Sequence, residues 1–282
     1  MTAPTTNTVV PNVPALEPKA RFTDLFAAEW IKLWSLRSTP WAFAAVVAAV
    51  LTVTVTSAYA DTQNWAQYDA ERREYFRMFG TVGDSFPTGA ATVLILGAGA
   101  IGAITVLGEY ATGMIRTTFA AVPARSSVMA AKVAVLIVTM TGFGAALALA
   151  SFGVAQGILS TQDTAVGLGH EGVVRMLVVS AALAPVSALV GMGLGAVIRH
   201  SVLTIVATIT LFFVLPSLLN SQKHFTVSLL HMTVLEAWRR IGHDVDNTSQ
   251  WPWTVTGAWT VLGVWALIAA VLAIFTSNYR DQ

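Results

Sequence analysis

The chain has 282 residues, of which 55% are hydrophobic and only 11% charged, against roughly 25% charged in an ordinary soluble domain. That composition identifies a polytopic membrane protein. The absence of cysteine excludes disulfides, thiol catalysis and Cys-ligated metal, and a formal charge of +1 without any basic tract offers nothing to a nucleic acid backbone.

Residues 1–20, rich in Thr and Pro, lack the basic stretch and apolar run of a signal peptide and read as a disordered tail. Residues 21–282 read as a single transmembrane domain. Its first segment, RFTDLFAAEWIKLWSLR (Arg21 to Arg37), has helical periodicity. At 100° per residue Phe22, Leu25, Phe26, Trp30, Leu33, Trp34 and Leu36 share an apolar face, with Arg21, Asp24, Lys32 and Ser35 opposite. Such a helix lies in the membrane interface, Trp at headgroup level and cations toward the phosphates. Glu29 falls inside the apolar arc. That position fits either a solvated or Lys32-paired carboxylate or a polar contact with another part of the assembly.

A helix crosses the hydrocarbon core with about 20 apolar residues. Six uncharged runs reach that length: 40–60, 89–108, 133–155, 176–198, 201–219 and 255–277. The fourth contains Pro185, expected to kink it, and the fifth ends near Pro216. An all-α fold of six spans follows. The short loops on the side of the termini are denser in Lys and Arg than the long ones opposite, so both termini are expected in the cytoplasm. On the outer side lie a polar loop at 61–88, a shorter one at 156–175, and a long one at 219–254. Within the last, TVSLLHMTVLEAWRRI (Thr226 to Ile241) is a second amphipathic helix, expected to dip into the outer leaflet or to cover the bundle.

Chemistry is sparse. None of the six runs has an ionisable residue in its interior, which disfavours ion-coupled carriers. His170-Glu171 lacks the second histidine of a zinc helix, and the spacings of His224, His231 and His243 match no standard metal site. These three read as solvated or loop-capping, and the Asn247-Thr248-Ser249 triplet matches a glycosylation sequon, which would mean nothing were the protein bacterial. Trp65, Trp238 and Trp251 are outer-side residues that serve equally as interface anchors or substrate contacts. Gly153/Gly157 and Gly191/Gly195 mark close helix packing within the chain. No loop of the form G-x-x-x-x-G-K-S/T is present, so any ATP that drives this chain binds elsewhere.

Two motifs, AEWIKLWSLRSTPW before the first span and GEYATGMIRTTFAAVPARSSVMAAK after the second, together with six spans, resemble the permease subunits of bacterial type-two ABC exporters that lack a fused ATPase. The likeness covers nearly everything from Phe22 onward. It implies a plasma-membrane assembly of two permease chains, identical or not, with two ATPase chains that bind the ATP and Mg. The family's interfacial connecting helix falls on Glu29, Trp30, Lys32 and Arg37, and its outer-leaflet helices on the loop ending near Thr254. Its coupling helix falls on Glu109, Tyr110, Gly113, Arg116, Thr117 and Arg125, which would meet a groove on the ATPase with Glu29 nearby. Apolar pathway walls suggest an amphipathic or lipid-like cargo, with membrane lipids as the surroundings. The rival readings are a membrane anchor or sensor that recruits an ATPase without transport, and an intramembrane enzyme, for which no polar constellation assembles.

Overall fold

The computed structural model describes residues 20–122, 124–219, 223–243 and 251–279. All regular structure among them is helical. Among the described residues, six stretches are long and apolar enough to cross a membrane: Ser38–Gln67, Ala70–Thr112, Arg125–Gln162, Val173–Ile198, Ser201–Leu218 and Val255–Thr276. Four of the six runs of the sequence fall inside them, and 201–219 and 255–277 pass the ends of theirs by one residue. Most helices extend past their run because hydropathy ends at the first charge, whereas backbone hydrogen bonding does not.

Helix α1 (Phe22–Ser35) opens with the Asp24 carboxylate accepting the Arg21 backbone N–H at 3.1 Å. After a two-residue corner, α2 (Ser38–Asn64) begins the first crossing. Its centre, VLTVTVTS, alternates like a strand yet is helical. In hydrocarbon only a helix satisfies the backbone within one segment, and Thr52, Thr54 and Thr56 return their hydroxyls to carbonyls four residues back.

The expected polar loop at 61–88 is mostly helix. It consists of α3 (Ala70–Tyr75), capped by Asp69, a π turn at Phe76–Gly80 and α4 (Thr81–Ser85). Helix α4 is buried against α2 and α7 (Arg125–Leu159) through a polar seam that hydropathy does not reveal. Thr54 and Ser151 share a hydrogen bond at 2.8 Å, Ser151 donates to the Ser85 carbonyl at 2.8 Å, and the Gln156 amide donates to the Ser85 hydroxyl at 2.9 Å. Asp84, also buried, accepts from Ser57 at 3.1 Å. The chain then breaks at Phe86 and Pro87 before α5 (Thr88–Thr112).

Helix α8 (Val173–Ile198) is the central post, packed on α5, α7 and α13 (Val255–Tyr279). It runs through Pro185 without interruption. The α5–α8 seam is so close that a Cβ on Gly102 would strike the Ala188 carbonyl, and one on Gly191 the Gly99 carbonyl. Gly191 and Gly195 therefore belong to this seam, whereas Gly153 and Gly157 meet nothing within 4 Å. The fifth crossing is α9 (Ser201–Ile209), a π turn at Thr210–Val214 and α10 (Leu215–Leu218). The π turn lies where the Pro216 ring would otherwise strike the Phe212 carbonyl.

The second amphipathic segment divides into α11 (His224–His231) and α12 (Val234–Gly242), separated by the Thr233 cap. Helix α12 does not lie loosely on the surface. It packs against α8 and α13, with Trp238 fully buried, edge-on to Phe86, and its indole N–H given to Ser180 at 2.9 Å.

Candidate coupling site at the hairpin end of the bundle

Three elements meet where α5 ends. Gly113, at φ +71°, supplies the left-handed residue that terminates α5 and lets α6 (Met114–Ala121) turn back across the end of the bundle. The spacing of α6 sorts its side chains. Ile115 and Phe119, four apart, are buried toward the bundle, while Arg116 and Thr117 face outward. Arg125 opens α7 with its guanidinium 5.5 Å from the Phe119 ring centre.

Behind this hairpin, Glu29 and Lys32 of α1, Glu109 of α5 and Lys132 of α7 form a closed ring of charge. Lys32 donates to Glu29 at 2.7 Å and to Glu109 at 3.3 Å. Lys132 donates to Glu109 at 2.9 Å and also to Glu29. Side-chain exposure is 4% for Glu29, 10% for Glu109, 7% for Lys132 and 30% for Lys32. The ring is neutral. Burial alone would lower the pKa of the Lys32 ammonium, but its hydrogen bond to Glu29 and the fields of Glu109 and Glu29 outweigh that, leaving it above its ordinary 10.5. Its stabilising contribution is thus complete below that value and fades only above it. A buried ion pair contributes little net stability over an apolar replacement, but losing one member strands the others. The ring therefore fixes where α1 sits on α5 and α7.

The residues singled out from the sequence thus separate into two sets. Glu29 and Glu109 come together, but inside, and Glu109 is a strut rather than part of the outward face. Tyr110 lies beneath the Arg199 guanidinium, 4.7 Å from its ring centre. Arg116 and Thr117 form the outward surface, and Arg37 is exposed at the α1–α2 corner. The apolar arc of α1 is also corrected. Its buried face is Leu25, Glu29 and Leu33, while Phe22, Trp30 and Trp34 stay exposed. Trp30 and Trp34 belong to an aromatic ridge running from Phe26 to Phe43.

Sequence reasoning did not single out Lys132, the last residue of the second motif. The usable signal was its position seven residues beyond Arg125. Two helical turns into α7, it lies on nearly the same face as that residue.

At the opposite end the three histidines do not converge. His224 packs on Trp251, His231 on Trp253 and His243 on Trp238. His243 is not solvated. Burial, helped by the Arg239 charge, holds it neutral, with its pKa lowered to about 4. Trp65 meets the Tyr68 and Phe76 rings edge-on, and Trp238 is interior, so neither it nor Phe86 is a free contact surface. The sequon and the first 19 residues lie outside the described residues.

No curated protein matches the chain. A family model described as ABC-2 family transporter protein matches residues 25–217. The matched stretch begins inside α1, contains the charged ring and the hairpin, and ends in α10. The chain, matched over well more than half its length, belongs to the ABC-2 family of membrane transporter proteins.

Proposed function

We propose that this chain is the membrane half of an ATP-driven exporter in the bacterial plasma membrane, with both termini cytoplasmic. Two copies, or one copy and a related chain, would pair with two ATPase subunits and move an amphipathic or lipid-like substrate. The observation that carries this reading is the division of labour at the hairpin. Arg116 and Thr117 are presented outward on a short helix, and that helix is tied through the neighbouring Glu109 to α1 and α7 by buried charge. A push on α6 would pass into α5 and, through these bonds, on to α7 and α1, the transmission that alternating access through rigid-body motion requires. ATP and Mg belong to the partner, because this chain has no phosphate-binding loop.

The test is affinity purification from the native membrane in mild detergent, with mass spectrometry of the co-purifying chains. Wild type is expected to bring down an ATPase in stoichiometric amount, and Arg116→Glu with Thr117→Asp to lose it while still folding. Reconstitution of the recovered complex should give ATP-dependent movement of an amphiphile. An ATPase recovered without transport of any amphiphile would make the chain an anchor, and no ATPase at all would end the permease reading.

A further inference from the structure

Beside the charged ring, α1, the start of α2, the end of α5 and the start of α7 enclose a cavity of about 220 Å³, more than ten times the roughly 10–15 Å³ needed for one bound water. Its walls are apolar, built from residues such as Leu33, Ala42, Ile101 and Leu136. Exposed Leu36, in the α1–α2 corner, and Ile104, on the second membrane crossing, line its rim. Its floor is the ring.

Hydrogen-bond accounting shows that this floor is incomplete. Both Glu29 oxygens are filled, and both lysines donate to Glu109 Oε1. Glu109 Oε2 accepts nothing among the described residues, although Glu109 is only 8% exposed and lines the cavity. Each ammonium has three protons and gives two of them to carboxylates here. The floor thus offers one open acceptor and open N–H donors, with two negative and two positive charges cancelling.

We propose that the cavity binds an uncharged amphiphile whose head carries hydroxyl groups, the head donating to Glu109 Oε2 and accepting from Lys32, the tail leaving past Ile104 and Leu36. A hydroxyl supplies both donor and acceptor. A carboxylate or phosphate monoester adds an uncompensated negative charge beside Glu109, an alkylammonium adds a positive one beside the lysines, and both are disfavoured in a largely buried site whose charges already cancel. A phosphocholine head has no N–H or O–H to give Glu109. The inference rests on the permease reading for the occupant's role as cargo, and names the cargo's class.

The test uses the full chain in phosphatidylcholine nanodiscs, without any ATPase. Monoacylglycerol with a diazirine in its acyl chain is compared with the fatty acid and with an alkylphosphocholine, which has no hydroxyl, each carrying the same photoreactive chain. Monoacylglycerol should label the α2 and α5 peptides that line the cavity at least fivefold more strongly, and unlabelled monoacylglycerol should compete. Ile104→Trp, which fills the rim without touching the charges, should cut that labelling at least fivefold with unchanged thermal melting. Equal labelling by all three probes, or wild-type labelling in Ile104→Trp, overturns the proposal. Labelling as expected with no ATPase recovered by purification leaves the site and removes the permease reading; the converse leaves the permease and removes the site.

Discussion

Replacing Lys132 with Met keeps the length of the side chain and removes one charge from the ring. Glu29 and Glu109 would then share only Lys32, which reaches them at 2.7 and 3.3 Å and is itself 30% exposed. Breaking a buried pair by removing one partner costs about 3–5 kcal/mol. The remaining Lys32 bonds put this case at the lower end, about 3 kcal/mol. On the scale of soluble proteins of this size, that is a fall in melting temperature on the order of 5–10 °C. The assay is tryptophan-fluorescence melting of purified protein in nanodiscs, for Lys132→Met and for a neutral variant combining it with Glu29→Gln, Glu109→Gln and Lys32→Met. Because the cost lies in stranded carboxylates rather than in lost attraction, the neutral variant should recover more than half of the fall. A drop under about 2 °C in Lys132→Met, or a neutral variant no better than it, refutes the argument that the four charges act as one unit.

Gly102→Ala drives a methyl group into the Ala188 carbonyl and should destabilise by about 1–3 kcal/mol or more, whereas Gly153→Ala, with nothing within 4 Å, should be neutral or slightly stabilising; comparative melting checks both. Ser180→Ala leaves the buried Trp238 indole N–H without its acceptor and should cost about 1–3 kcal/mol, while Trp238→Phe with Ser180→Ala, which removes both partners, should show strong non-additivity in a double-mutant cycle. His243, with an ordinary value of 6.5 lowered to about 4, is buried neutral, so its contribution is complete above pH 6.5 and is lost as the pH falls toward 4. At about 1.4 kcal/mol per unit, the loss approaches 3 kcal/mol. Melting of wild type and His243→Leu between pH 7.5 and 4 should diverge in that window, and parallel curves would refute the assignment.

The crossings were legible because lipid imposes one severe rule: every backbone group must be satisfied within its own segment, so long uncharged runs are helices. The end of α5 was legible for a similar local reason, since Gly113 permits a backbone conformation that other residues avoid. What was not legible depends on which helix faces which. Thr54, Ser85, Ser151 and Gln156 are individually ordinary, and only their convergence makes the α2–α4–α7 seam. Hydropathy therefore read 61–88 as a loop. Glu29 was noticed as an anomaly on an apolar arc, but its answer lay 80 residues away at Glu109 and beyond at Lys132. No periodicity within α1 encodes that pairing, and the exposed Trp30 and Trp34 drew the apparent apolar face away from the buried one.

The two kinds of tight contact in this bundle differ in what they permit. The α5–α8 seam is closest where backbone meets backbone, Gly102 on Ala188 and Gly191 on Gly99, and no side-chain rotation changes the spacing at those two points. The charged ring is built from four flexible side chains, and its bonds can be exchanged: Lys32, the most exposed member, can release either carboxylate to water at far less cost than Lys132 can. On the proposed reading, a force applied at Arg116 and Thr117 would therefore move α5 and α8 together and would yield first between α5 and α1, where Lys32 reaches Glu109, while Lys132 keeps α1 on α7 through Glu29. A disulfide joining α1 to α5 should then abolish transport while leaving ATPase recruitment intact, whereas one joining α5 to α8 should spare both. If the α5–α8 staple blocks transport and the α1–α5 staple does not, the hinge lies inside the glycine seam and the ring is only an anchor.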